Sequence, residues 1–150
     1  MAMTDREPRP LIPALAPFYE WIIPFTWPLI RFAVAWNLLV HAYFTMNRGV
    51  FALNPVFEKM GYTPPSFWAV ASFTIELTGG IAILLGLFTR FFAAAVAIEM
   101  LFIFMSNWPA GFSWLRGGYE YVMLWGLLAF VIALRGGGPY SLDRKLGWEL

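Results

Sequence analysis

The sequence predicts an all-α fold: a four-transmembrane-helix bundle with a short C-terminal interfacial helix. Three observations carry that expectation. The 150 residues are 60% hydrophobic and only 13% charged, about half the roughly 25% charge usual for soluble domains. Aromatic residues reach 19%, with 15 Phe, 8 Trp and 6 Tyr, more apolar surface than a soluble domain of this size can place. Four apolar segments also follow one another between turn signals. The longest uncharged runs are nevertheless only 16 residues (32–47, 60–75 and 100–115), short of the ~18 that usually mark a span. A membrane fold therefore requires charges inside the spans.

Residues 1–23 carry Asp5, Arg6, Glu7, Arg9 and Glu20 among prolines. They lack the basic-then-apolar pattern of a signal peptide and read as an irregular cytoplasmic arm. The first span is expected at about 24–46, ending at Asn47–Arg48. The second, about 66–87, follows Pro64 and Pro65, which are tolerated at a helix start. The third, about 91–108, stops before Pro109, and the fourth, about 119–135, stops at Arg135 and the triple glycine 136–138. At about 1.5 Å per residue such segments cover most or all of a ~30 Å hydrocarbon core. The short link Phe88-Thr89-Arg90 makes the second and third spans antiparallel neighbours. In the tail, 136–150, Ser141 can cap a helix and Asp143 favours its dipole. Leu142, Leu146 and Leu150 then give that helix an apolar stripe, the mark of an interfacial anchor.

Lys/Arg placement sets the orientation. With both termini inside, the inner side holds seven basic residues (Arg6, Arg9, Arg31, Arg90, Arg135, Arg144, Lys145) and the outer side three (Arg48, Lys59, Arg116). Both termini are thus expected in the cytoplasm, and Arg31 is expected to snorkel inward. Trp21, Trp27 and Trp148 fall at the inner edge, Trp68, Trp108 and Trp114 at the outer edge, and Trp36 and Trp125 at mid-depth.

Composition excludes several chemistries. With no cysteine there is no disulfide, thiol redox centre or iron–sulfur ligation. His41 is the only histidine, so bis-His haem and His-rich metal sites are excluded. A di-iron bundle needs Glu-x-x-His pairs, and each Glu here has a different residue at i+3. The net charge of +1, with basic residues scattered, gives no case for nucleic acid.

The charges inside the spans are acids. Glu76 sits near the middle of the second span, Glu99 near the middle of the third, and Glu120 opens the fourth. Intramembrane carboxylates cost roughly 2.5–3.5 kcal/mol on insertion scales and usually face the bundle interior. Ser72, Glu76 and Gly80 share one helix face, while Thr78, Ala82 and Gly86 form a neighbouring small-residue row. Asn37, His41, Thr45 and Arg48 form a polar stripe on the first span. These groups cluster at mid-depth or in the outer half, which predicts a pocket open outward and sealed beneath. Its expected lining is Glu76, His41, Glu120, Glu99, Asn37, Trp36 and Trp125. A quinone head group or another small amphipathic ligand suits such a pocket. Structural pinning of the bundle by Glu76, and proton transfer, are the competing readings.

The segment Gly86-Leu-Phe-Thr-Arg-Phe-Phe-Ala-Ala94 resembles the Gly-Leu-x-Thr-Arg-x-Ala-Ala turn of the DoxX family. Gly136-Gly-Gly-Pro-Tyr-Ser-Leu-Asp-Arg144 is similar to the same family's Gly-x-Gly-x-x-Ser-Leu-Asp tail, with a register difference around Pro139. Glu76 and Glu120 resemble recurrent acidic positions of the family, and the likeness covers roughly residues 28–146. Glu99 and the Pro-rich arm match no family position. The resemblance implies a small four-helix protein of a prokaryotic cytoplasmic membrane, associated with thiosulfate:quinone or quinol oxidation. It implies structural roles for Thr89, Arg90, Ser141 and Asp143 at the turn and tail. The expected function is an accessory subunit of a quinone-interacting membrane complex. Its partners are the lipid bilayer and other membrane subunits, and it has no covalently bound cofactor and no redox centre of its own. A purely structural subunit of a respiratory or photosynthetic complex is the alternative, and a small-solute transporter ranks below both.

Overall fold

The computed structural model describes residues 10–149, so the first nine residues of the expected arm, and Leu150 of the tail stripe, lie outside it. The described residues form helices and turns without a strand: α1 (Ala16–Arg48), α2 (Asn54–Lys59), α3 (Pro65–Leu85), α4 (Thr89–Asn107), α5 (Glu120–Arg135) and α6 (Leu142–Leu146). Short 3-10 turns precede α1 and fill the connections at Val50–Leu53, Trp108–Ala110 and Trp114–Arg116. Helix α1 packs on α3, α3 on α4 and α4 on α5, while α1 also touches α5. One end of the bundle carries α6 and the α3–α4 turn (the tail end); the other carries α2 and the α4–α5 connection (the loop end).

Helix α1 corrects the expected arm. It begins at Ala16 and passes through Pro24 and Pro28, so residues 16–23 are helical. Each proline removes one backbone donor, a loss that helices at a membrane tolerate. At about 50 Å long, α1 overhangs the tail end, and Trp27 is its first buried residue. The segments Pro13–Arg48, Pro65–Leu85 and Thr89–Ala110 are long and apolar enough to cross a membrane. Helix α5 has 16 residues, about 24 Å, and falls short of that length.

The outer faces are apolar, with Phe91, Leu101, Leu124 and Leu134 among the exposed side chains, so the surroundings of these helices are a lipid bilayer. The buried core is narrow, built on Val34, Ala35, Leu38, Ile83, Ala93, Val96, Ala129 and Ile132. Lipid tails compete equally for apolar contact, so small residues decide how closely helices approach. A Cβ on Gly80 would lie 2.9 Å from Leu39 of α1, and one on Gly79 3.0 Å from Val96 of α4. These two glycines set both neighbours of α3.

The tail end is tied by polar bonds. Asp143 was expected to favour the dipole of its own helix. It stands in the first turn of α6 as expected, and its carboxylate also accepts from the backbone N–H of Phe88 (2.7 Å) and Thr89 (2.9 Å) and from Thr89 Oγ1 (2.6 Å). It therefore caps α4 from another part of the chain, satisfying amides that a helix start leaves without partners. Phe88 itself has φ 47° and carries no capping group. Asp143 N–H donates to Gly86 O at 2.8 Å, and Ser141 Oγ caps α6 by accepting from Arg144 N at 3.2 Å. Arg90 donates to the carbonyls of Ala133, Leu134 and Arg135 at the end of α5 and to Glu149 at 3.0 Å, cations being favourable at a helix C-terminus.

Arg31 corrects the snorkelling expectation. It is 3% exposed and donates to Tyr140 O at 3.1 Å, because tail residues fold over it. Trp27, expected in an interfacial belt, is buried and donates to Gly136 O at 2.8 Å. Gly86 has φ +68°, and a Cβ there would collide with Arg31 Nη1 and Ser141. The two motif segments, 86–94 and 136–144, thus meet in one assembly around Asp143 and Arg31.

Asp143→Ala should destabilise the protein by about 2–4 kcal/mol, because it leaves two amides and a hydroxyl without their charged acceptor. Thermal unfolding in detergent measures the loss, and Asp143→Asn should recover part of it.

Candidate functional site

The two mid-span carboxyls sit on facing helices. Glu76 (α3) and Glu99 (α4) are each only 8% exposed. Ser72, one turn before Glu76 on α3, donates to Glu99 Oε1 at 2.5 Å. The other oxygen, Oε2 of Glu99, is buried with no hydrogen-bond partner. One turn further along the same face of α3, Glu76 Oε1 lies 3.9 Å from His41 Nδ1 of α1, whose own side chain is largely exposed.

Glu99 and Ser72 form the polar part of a cavity of about 310 Å³ between α2, α3 and α4. The rest of the lining is apolar and includes Phe57, Met60, Trp68 and Phe102. Tyr62 belongs to it as well, with its ring centroid 5.2 Å from Trp68 and 6.3 Å from Phe102. The Tyr62 hydroxyl reaches Ser106 Oγ at 3.5 Å. The loop-end connection is held over this space by Asn54 Nδ2 donating to Ser66 Oγ at 3.0 Å. A mostly apolar space of this size with one or two placed polar groups has the form of a small-molecule site.

The expected pocket residues do not converge on one place. Glu99 lines the cavity, while Glu76 and His41 lie along the α1–α3 contact. Asn37 donates to Tyr121 OH at 2.6 Å, and Trp125 packs edge-on to Tyr121 with ring centroids 5.7 Å apart, which places both at the α1–α5 contact. Glu120 accepts from Trp114 N at 3.4 Å and closes the local loop before α5. Trp36 is 61% exposed and stacks on Phe32. It lies outside this cavity because α1 turns that face away from the bundle. Sequence reasoning missed Tyr62, Trp68 and Phe57. Trp68 was read as an interfacial anchor, and the others sit in a connection treated as unstructured. Among the described residues, no three His, Asp or Glu side chains come together to hold a metal ion.

Fold and site define a small helical membrane protein with an apolar, carboxyl-bearing cavity between helices. The family model DoxX matches residues 26–108, and the chain belongs to the DoxX family. It is 35% identical over 92 residues to inner membrane protein YqjF of Escherichia coli (strain K12), covering 59% of this chain and 68% of YqjF. It is also 35% identical over 75 residues to an uncharacterized protein of Haemophilus influenzae, covering 47% of this chain and 56% of that protein. No solved structure gives a significant match.

Ser72→Ala should cost about 1–2 kcal/mol, because it removes the one partner of a buried carboxyl. The double variant Ser72→Ala/Glu99→Leu should recover most of that loss, since replacing both partners by apolar groups is nearly neutral. Unfolding measured for both single variants and the double variant reads this non-additivity.

Proposed function

We propose that this protein is an accessory subunit of a quinone-linked redox complex in the inner membrane, and that the α2–α3–α4 cavity receives the ligand's head group. The observation that carries the reading is the buried Glu99 with an unpartnered oxygen, set in an otherwise apolar, aromatic-lined cavity. A flat quinone ring suits stacking against Trp68 and Tyr62. A quinol hydroxyl can donate to Glu99 Oε2, and a quinone carbonyl can accept from the Tyr62 hydroxyl. The chain has no cysteine and a single histidine, so in this reading electrons enter and leave through the bound ligand and a partner subunit. Helix α5 serves as the fourth crossing, and both termini face the cytoplasm.

A purely structural subunit is the second reading. It is favoured by the shallow apolar groove of about 300 Å³ between α4 and α5, lined by Met100, Leu101, Phe104, Met123 and Leu127. The transporter reading is weakest, because the tail end is closed by the bonds around Asp143 and Arg31.

Purified protein should bind a short-chain quinone with quenching of tryptophan fluorescence, and Trp68→Phe should reduce that quenching. Ser72→Ala/Glu99→Leu should weaken binding tenfold or more, the expected loss of one hydrogen bond to a charged or strongly polar group (about 1.5–3 kcal/mol). Trp36→Leu, on the outer face, should leave binding unchanged. Equal affinity in the double variant and the parent would overturn the cavity assignment.

A further inference from the structure

The tail end holds a second cavity, of about 640 Å³, which lies apart from the Glu99 site. Three cationic side chains line it: Arg135 at the end of α5, and Arg144 and Lys145 on α6. No acidic side chain is part of its wall. Of the acids near it, Glu20 is exposed one turn before Pro24 on α1, and the two on the tail are committed elsewhere. Asp143 accepts from Phe88 and Thr89, and Glu149 accepts from Arg90 and from Gly137 N. The opposite wall is apolar and comes from the overhanging part of α1, including Ile23, Pro24 and Trp27.

The cations are held in place by the fold. The guanidinium of Arg135 lies 4.8 Å from the Trp27 ring centroid, a cation–π contact. Trp27 is fixed in turn by its bond to Gly136 O. Arg144 and Lys145 are positioned by the Ser141 cap and by Asp143 beneath them, while their own side chains remain exposed. The result is a concave site with a cationic floor on one side and an apolar helix on the other. It lies at the end of the bundle, where exposed Trp21, Phe25 and Tyr140 give the surface the aromatic character of a membrane interface.

We propose that this cavity binds the phosphate-bearing head group of an anionic phospholipid, with the glycerol and first acyl carbons against Ile23 and Pro24. Basic recesses beside membrane helices recognise such head groups, each cation contributing to the attraction. A free phosphate shares the charge chemistry but makes no use of the apolar wall. The lipid therefore accounts for both sides of the cavity.

The test titrates the purified full-length protein in neutral detergent with short-chain phosphatidylglycerol, phosphatidylcholine or inorganic phosphate. Tryptophan fluorescence and native mass spectrometry read the binding. Phosphatidylglycerol should bind, and Arg144→Gln/Lys145→Gln should weaken it about 30-fold, the loss of two charges at a head group. Arg48→Gln/Lys59→Gln removes the same net charge at the loop end and should leave affinity unchanged. Equal affinity in Arg144→Gln/Lys145→Gln and the parent, or an equal loss in the loop-end variant, would overturn the proposal. So would equal binding of phosphatidylcholine, or competition by inorganic phosphate at the same concentration as the lipid.

Discussion

Every helix that reaches the tail end is tied to the tail segment 136–149, and the carboxylate of Asp143 supplies the tie to α4. It caps α4 at Phe88 and Thr89, and its backbone amide holds Gly86 at the end of α3. The same tail covers Arg31 of α1 through Tyr140 and takes Trp27 through Gly136. Arg90 and Glu149 bring in the end of α5. In a bundle whose helices gain little from apolar contact over lipid, such charge-assisted bonds supply the directional part of the association. Gly79 and Gly80 supply the close approach. The fold therefore depends on a polar anchor at one end and on small residues at mid-depth.

That division leaves the other end more lightly tied. The loop end carries little of the tying network, and its connection between α1 and α3 instead shapes a cavity wall with Phe57, Met60 and Tyr62. Glu99 is a costly residue to bury. Its partner Ser72 satisfies only one oxygen, and the second stays unpartnered. At the tail end Asp143 is bonded three times over, although Nε and Nη1 of the buried Arg31 are left without partners, whereas Glu99 is bonded once.

Much of this was legible from residues alone. The three-residue turn predicted that the second and third spans would be neighbours, and Gly80 on the Ser72–Glu76 face stands where α1 approaches. The spacing of Asn37, His41 and Thr45 on one face, set against Ser72 and Glu76 on another, anticipated the approach of His41 to Glu76. What remained hidden had specific physical causes. Helix α1 runs through Pro24 and Pro28, residues that local rules treat as breakers. Arg31 is buried by the fold of residues more than a hundred positions away, which no helical period encodes. The cap on α4 comes from Asp143, not from a neighbouring Ser, Thr or Asp before the helix, so the N-terminal signal at Phe88 was absent. Depth along a helix also says little about which way a side chain turns, which is why Trp36, Asn37 and Glu120 disperse where one pocket was expected.

The remote cap carries a consequence for synthesis. Asp143 lies 54 residues beyond Thr89, so the α3–α4 hairpin leaves the ribosome with its turn unfinished. The α3–α4 hairpin is translated first, and its turn is locked only when the tail that follows α5 emerges. Translation of the hairpin and closure of its turn are thus separate events in the life of the chain. A nascent protein stalled before residue 143 has the amides at the start of α4 without that cap.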